Sequence, residues 1–99
     1  MGVHALQKNT VSNNTAIGYY SLQANTTGSY NVAIGVNTLS VQSGAAANNV
    51  GIGYNAGGAV TTGTDNTLIG HQAGQYSNAI TTGVSNVIVG AYSYTAAAT

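Results

Sequence analysis

The pentapeptide NVAIG at residues 31–35 decides the fold, because near-copies of it recur along the chain. The copies read NTAIG at 14–18, NVGIG at 49–53, NTLIG at 66–70 and NVIVG at 86–90. From one motif Asn to the next, the steps are 17, 18, 17 and 20 residues. A motif that returns at a nearly constant short interval is typical of a repeat protein, in which each copy forms one structural unit.

The segments between the motifs keep the same phase. A Thr-Thr-Gly sequence precedes several motifs and ends three residues before the motif Asn, at Gly28, Gly63 and Gly83. The segment before Asn49 differs, because it has Gly44 followed by three alanines at 45–47. We expect these segments to be the return turns of the repeat.

The repeat pattern reaches both ends of the sequence. Gly2 stands where a motif Gly is expected, and residues 90–99 start like the other repeats without reaching another motif. We therefore expect a single β-roll repeat domain over 1–99 that starts and ends within a repeat, as an internal piece of a longer fibre.

Each motif reads as a short strand followed by a corner. Alternation places Val32 and Ile34 on one strand face and Ala33 on the other, and the following Gly suits a tight corner. A second short strand is expected near 20–22 and 38–39. The sequence thus predicts an all-β fold: a parallel β-solenoid with about 17 residues per rung and about five rungs.

Stacked rungs explain why the motif residues repeat. Rungs about 4.8 Å apart place each side chain over its copy, so Asn columns can bond along the stack. We expect the motif Asn to form a rail at a turn, the Ile to be core and the Gly to be the corner, and we expect Gln42 to lie on a turn. The predicted anchors are Asn14, Ile17, Gly18, Asn31, Ile34, Gly35, Asn49, Ile52, Gly53, Asn66, Ile69, Gly70, Asn86, Val89 and Gly90.

The opposite strand face is apolar as well. It carries Ala16, Ala33, Gly51, Leu68 and Ile88. Strands that are apolar on both faces are usually buried on both, whereas a thin solenoid has one interior. These residues are therefore predicted to form an interchain face, and the chain to assemble as a homo-oligomer.

The charge content excludes several function classes. Lys8 and Asp65 are the only charged side chains, and the formal net charge is zero, whereas an ordinary domain is roughly 25% charged. A neutral chain has no electrostatic basis for binding nucleic acid or anionic lipid. No stretch approaches the roughly 18 apolar residues of a membrane span, so we expect no membrane insertion in this segment.

The residues needed for catalysis are equally sparse. Asp65 is the only side-chain carboxylate and is expected to be a turn residue, and Lys8 is expected to be solvated. His4 and His71 lie about four rungs apart, or roughly 19 Å at strand spacing. A metal or anion site would need three His71 copies around a threefold axis, against the simpler interpretation of a solvated corner residue. We predict no enzyme, no cofactor and no catalytic or metal-binding residue.

The motif with its following residues resembles a known family of repeats. The stretches NTAIGYYSL, NVAIGVNTL, NVGIGYNAG and NTLIGHQAG are similar to the YadA-like head repeats of trimeric autotransporter adhesins and to repeats in bacteriophage tail-fibre proteins. The resemblance covers essentially the whole chain, although the rungs here are longer than the head repeat of the best-known adhesins. It implies a left-handed β-roll, a side-by-side homotrimer, and an extracellular role in attachment on a virion fibre or cell-surface appendage.

The attachment partner, a host receptor or glycan, is not named by the sequence. The candidate contact aromatics are Tyr19, Tyr20, Tyr30, Tyr54, Tyr76, Tyr92 and Tyr94, with interchain packing as the alternative. Other functions considered are a self-stacking extracellular filament and a hexapeptide-repeat acyltransferase with His71 as base. The last alternative function is an ice-binding solenoid, which would use the Thr pairs at 26–27, 61–62 and 81–82.

Overall fold

The fold is a stack of parallel strands. A computed structural model describes residues 2–75 and 81–93. The strands are β1 (Thr15–Ile17), β2 (Val32–Ile34), β3 (Val50–Ile52), β4 (Thr67–Ile69) and β5 (Val87–Val89). They form one sheet in the order β1-β2-β3-β4-β5, every pair being parallel. The result is a β-solenoid of about four turns, which confirms the predicted all-β parallel architecture.

The pairing register places each motif over the next one. Ala16 pairs with Ala33, Ala33 with Gly51, and Leu68 with Ile88. Each sequence step between motifs is therefore the number of residues from one strand position to the paired position in the next strand. In the described ranges, no helix is long and apolar enough to cross a membrane.

The expected second strand is replaced by a turning segment. Tyr20 and Leu22 have φ angles of 61° and 49°, which are left-handed and incompatible with an extended strand. The segment still bonds to the next rung, since the Leu22 N–H donates to the Thr38 carbonyl at 3.0 Å. The prediction of a strand near 20–22 and 38–39 is therefore wrong, because alternating left-handed residues bend the chain at these positions.

The two faces of the motif strands are the reverse of the prediction. The predicted interchain residues Ala16, Ala33, Gly51, Leu68 and Ile88 point into the roll of their own chain and are buried there. The alternate residues, expected to be core, face outward: Ile17 is 46% exposed and Val89 64%. Both assignments are corrected accordingly, and the Ile column lies on the outer surface.

Side-chain volumes across the thin interior explain this choice of face. Leu22 and Leu39 point inward from the opposite wall and are fully buried. A Cβ added at Gly51 would lie 3.0 Å from the Leu39 Cγ, so the inward strand position opposite a Leu must be small. Further along the roll the small residue lies on the opposite wall and the large one on the strand. A Cβ added at Gly57, on the opposite wall, would lie 2.8 Å from the Leu68 Cδ1.

The motif Asn residues form a buried ladder inside the roll. Asn31, Asn49 and Asn66 are fully buried. The side-chain oxygen of each motif Asn accepts a hydrogen bond from the backbone N–H of the motif Asn in the next rung. For example, the Asn49 N–H donates to the Asn31 side-chain oxygen at 2.9 Å. Each side-chain NH₂ donates to a return-turn carbonyl of the next rung, at Gly28, Ala46, Gly63 or Gly83. The segment before Asn49 has no Thr-Thr-Gly sequence, and there Ala46 occupies the position that the glycine has in the Thr-Thr-Gly segments.

A second amide column runs beside this ladder. The Gln42 side chain is fully buried, donates to Asn25 at 3.3 Å and accepts from Asn49 at 3.0 Å. Our expectation that Gln42 lies on a turn is wrong, because its side chain is buried and its amide satisfies buried polar groups. Such a network must be complete to be stable, since an unpaired buried polar group is costly.

The motif glycines stack at the corner that follows each strand. Gly35 has a φ of 131°, and a Cβ there would lie 2.7 Å from the Gly53 carbonyl oxygen. Both the backbone angle and the close approach of the next rung therefore require glycine.

Candidate assembly surface and aromatic clusters

The outward face of the sheet is a strip with two ranks of side chains. We call it the outer strip. Its residues are Thr15, Ile17, Val32, Ile34, Val50, Ile52, Thr67, Ile69, Val87 and Val89. Because the pairing is in register, one rank is formed by Thr and Val and the other by Ile with one final Val.

The outer strip is apolar and uncharged. Ile17 and Val87 are 46% and 73% exposed, and the strip's more central residues are partly buried. Contiguous apolar patches on soluble proteins usually mark an interaction site. The strip is therefore the strongest candidate interaction surface, and the sequence prediction placed that surface on the wrong face of the same strands.

Aromatic rings stack at the corner beyond the motif glycines. We call Tyr54, His71 and Tyr92 the corner ladder. The Tyr54 and His71 ring centroids are 5.2 Å apart with 24° between the planes, and those of His71 and Tyr92 are 5.0 Å apart at 56°. Centroid distances of this size are typical of aromatic pairs, and Tyr54 and Tyr92 remain 43% and 60% exposed.

A second aromatic cluster lies near the start of the chain. The Tyr19 and Tyr20 ring centroids are 4.0 Å apart, and His4 lies 5.1 Å from Tyr20. A side-chain hydrogen bond with Tyr20 raises the pKa of Tyr19, and partial desolvation and the neighbouring Tyr20 charge act in the same direction. His4 and His71 thus belong to separate aromatic clusters.

Tyr30 stands apart from both clusters. It precedes the motif Asn31, is 63% exposed and has a φ of 60°. Tyr76 and Tyr94, also named as candidate contacts, lie outside the described residues.

The return-turn threonines use their hydroxyl groups within the roll. The Thr10 hydroxyl donates to the Thr26 carbonyl at 2.9 Å, and the Thr61 hydroxyl donates to the Thr81 carbonyl at 2.9 Å. Thr10 and Thr61 thus hold neighbouring rungs together, whereas the second residues of the three Thr pairs, Thr27, Thr62 and Thr82, are exposed.

The charged residue near a motif has a structural partner. The Asp65 carboxylate accepts the Asn48 side-chain NH₂ at 2.9 Å. In residues 2–75 and 81–93, no group of three or more His, Cys, Asp or Glu lies close enough to hold a metal, and no pocket is present.

The second amide column was not predicted from the sequence. A signal exists, because Asn9, Asn25 and Gln42 all lie seven residues after a corner Gly. An amide that recurs in one phase of a solenoid predicts an inward ladder, and Val60 ends this one by occupying the same position.

Comparison with known proteins adds no relative. No protein-family model, no curated protein and no solved structure matches this chain. The candidate surfaces are therefore interpreted from their own chemistry.

Proposed function

We propose that this chain is a structural segment of a trimeric fibre, in which β-rolls lie side by side and support attachment to a host or other surface. The observation that carries the proposal is the outer strip, an uncharged apolar surface that runs the length of the sheet. The proposed role is structural and uses no cofactor or catalytic residue.

A second copy of the same chain is the partner that this surface fits. Every rung presents the same kinds of side chains at the same spacing, so two strips placed in parallel match at each rung. Charges neither attract nor repel across the contact, because the strip contains none. Around a threefold axis, one side of each strip would meet the other side of the next strip, which is the heterologous contact that closes into a ring.

The apolar gain from assembly grows with the length of the strip. Covering a half-exposed Val or Ile contributes about 1 kcal/mol. Ile17, Val87 and Val89 are about half-exposed or more, and the five central Val and Ile residues are partly buried and contribute less each, so the total is on the order of 5 kcal/mol per chain, near the lower end of the roughly 4–15 kcal/mol that association costs. Each added rung increases the gain while the association cost stays nearly constant, so a longer roll forms a more stable fibre.

The resemblance to YadA-like head repeats supports the finer parts of the proposal. Left-handed coiling, the number three and an extracellular location on a virion fibre or cell-surface appendage are taken from that resemblance. The buried amide ladder and the low charge support a rigid stacked rod, which suits a fibre that must hold a binding site away from its base.

A pair of variants with the same starting exposure tests the assembly. Ile17, on the outer strip, and Val41, away from it, are each 46% exposed. Ile17→Asp should convert the trimer to monomer while the β-sheet circular dichroism is retained, because the charge is placed between chains. Val41→Asp should leave the trimer intact.

Light scattering coupled to size exclusion gives the mass of each variant. A wild-type monomer, or a trimer that Val41→Asp disrupts as strongly as Ile17→Asp, contradicts the proposed interface. Periodic end-to-end filaments seen by electron microscopy would favour the self-stacking filament. A monomer that slows the growth of ice would favour the ice-binding alternative.

A further inference from the structure

We propose that the corner ladder, formed by Tyr54, His71 and Tyr92, binds an uncharged polysaccharide of extended β-linked sugars. This inference rests on the proposed attachment function and names the class of receptor. The ladder follows the corner glycines Gly53 and Gly70, which separate it from the outer strip.

The first argument is that an aromatic ring is held where the backbone disfavours it. Tyr92 has a φ of 58°, and in the same column Asn37 and Asn55 have φ angles of 58° and 56°. Asn tolerates this left-handed conformation, whereas a bulky side chain is an outlier there. The same left-handed backbone recurs at this corner position in the other rungs, as at Tyr20 and Gln72, so the fold imposes it, and Tyr92 is held there with 60% of its side chain exposed.

The second argument concerns the shape of the ladder. The ring centroids are 5.2 and 5.0 Å apart, with 24° and 56° between the planes, and all three side chains are exposed. An extended β-linked polysaccharide advances by roughly one rung spacing per sugar, so successive sugars can meet successive rings. The C–H face of a sugar is apolar and its rim is polar, which suits an exposed ring beside polar groups.

The polar groups beside the rings complete the match. Asn55 directly follows Tyr54 and Gln72 directly follows His71. Both side chains are partly exposed, so their amides can bond to sugar hydroxyls. The chain's two charged side chains are Lys8 and Asp65, and neither adjoins the ladder in sequence, so a neutral ligand fits better than an anionic one.

Titration calorimetry with cellohexaose and chitohexaose tests the site, with polygalacturonate as the charged control. We expect both neutral oligosaccharides to bind and polygalacturonate not to bind. Tyr92→Asn should weaken binding about threefold to tenfold, as expected for the loss of one aromatic contact. It should fold normally, because Asn already occupies this column at Asn37 and Asn55.

Tyr30→Asn is the matched control. Tyr30 is also exposed, at 63%, and also left-handed, with a φ of 60°, but it lies outside the ladder, so its substitution should leave the affinity unchanged. No binding of either neutral oligosaccharide, or equal weakening by both variants, overturns the site.

The mass of each sample, measured in parallel, separates this inference from the proposed fibre. A trimer that binds neither sugar overturns the polysaccharide site and leaves the fibre standing. A monomer that binds the sugars with the expected variant effects overturns the proposed fibre and leaves the polysaccharide site standing. A change of mass in Tyr92→Asn without a change in affinity would show that the ladder is a chain–chain contact, which also overturns the site.

Discussion

The side-chain oxygen of Asn49 accepts both the backbone N–H and the side-chain NH₂ of Asn66, at 3.0 and 3.1 Å. The NH₂ group of Asn49 donates to the Gln42 side chain at 3.0 Å and to the Gly63 carbonyl at 2.8 Å. One fully buried amide thus satisfies groups on two rungs and in both amide columns. The roll is held together by this polar interior as well as by its apolar core.

Asn49→Ala should therefore destabilise the roll far more than its size suggests. The substitution leaves the Asn66 N–H, the Gln42 amide oxygen and the Gly63 carbonyl buried without this partner. Each unsatisfied buried group costs about 1–3 kcal/mol, so we expect a loss of at least about 3 kcal/mol in the free energy of unfolding, measured by urea denaturation.

The neighbouring Asn48 provides the control for this prediction. It is exposed, its side chain donates to Asp65, and its φ is 58°, which glycine adopts freely. Asn48→Gly should change the unfolding free energy by no more than about 0.5 kcal/mol. Similar losses for the two variants would mean that the ladder contributes no more than a surface amide.

Leu39 and Gly51 should show energetic coupling. Gly51→Ala places a Cβ 2.8 Å from the Thr38 Cγ2 and 3.0 Å from the Leu39 Cγ, and such overpacking costs about 1–3 kcal/mol. Leu39→Ala removes a fully buried side chain and should cost about 2–5 kcal/mol. In the double variant the added methyl enters the space that Leu39 vacates. The loss of unfolding free energy in the double variant should therefore be smaller than the sum of the two single losses.

A double-mutant cycle by thermal or urea unfolding measures this coupling. We expect a favourable interaction of at least about 0.5 kcal/mol between the two substitutions. Strict additivity would indicate that the two residues do not share the interior volume.

Two glycines with left-handed φ angles separate crowding from backbone strain. Gly35→Ala brings a Cβ 2.7 Å from the Gly53 carbonyl oxygen at a φ of 131°, so the rungs must move apart. We expect a loss above about 3 kcal/mol. Gly44→Ala, at a φ of 58° with no atom within 4 Å of the new Cβ, should cost about 1 kcal/mol. Comparable melting temperatures for the two variants would refute the role of rung contact at the corner.

Tyr30→Asn should stabilise the chain. Tyr30 has a φ of 60° and its side chain is 63% exposed, so the strain is relieved with little packing lost. A gain of about 0.5–1 kcal/mol is expected, measured as a rise in the urea midpoint.

Tyr54→Asn is the comparison for the Tyr30 variant. Tyr54 is not among the residues with positive φ, and its ring stacks on His71. This substitution relieves no strain and loses an aromatic contact, so it should be destabilising. A gain in stability at Tyr54, or a loss at Tyr30, would contradict the strain argument.

The size exchange across the interior could have been recognised in the sequence. The residue four positions after the corner Gly is Leu6, Leu22 or Leu39 in the first three repeats and Gly57 or Gly74 in the next two. The middle strand residue changes in the opposite sense, from Ala or Gly to Leu68 and Ile88. Reciprocal volumes in two columns indicate that their side chains share one interior.

The sequence by itself determined the period, the positions of the motif strands, the corner glycines and the parallel stacking, because near-identical motifs at a nearly regular spacing superpose in one register. It did not determine which strand face is inside, since the alternate residues are apolar on both faces. The tertiary structure decided that point through volume, because the Leu residues of the opposite wall leave room only for Ala or Gly on the facing strands. The same closure buried Gln42 and left the Val and Ile ranks outside, where the next chain is proposed to pack.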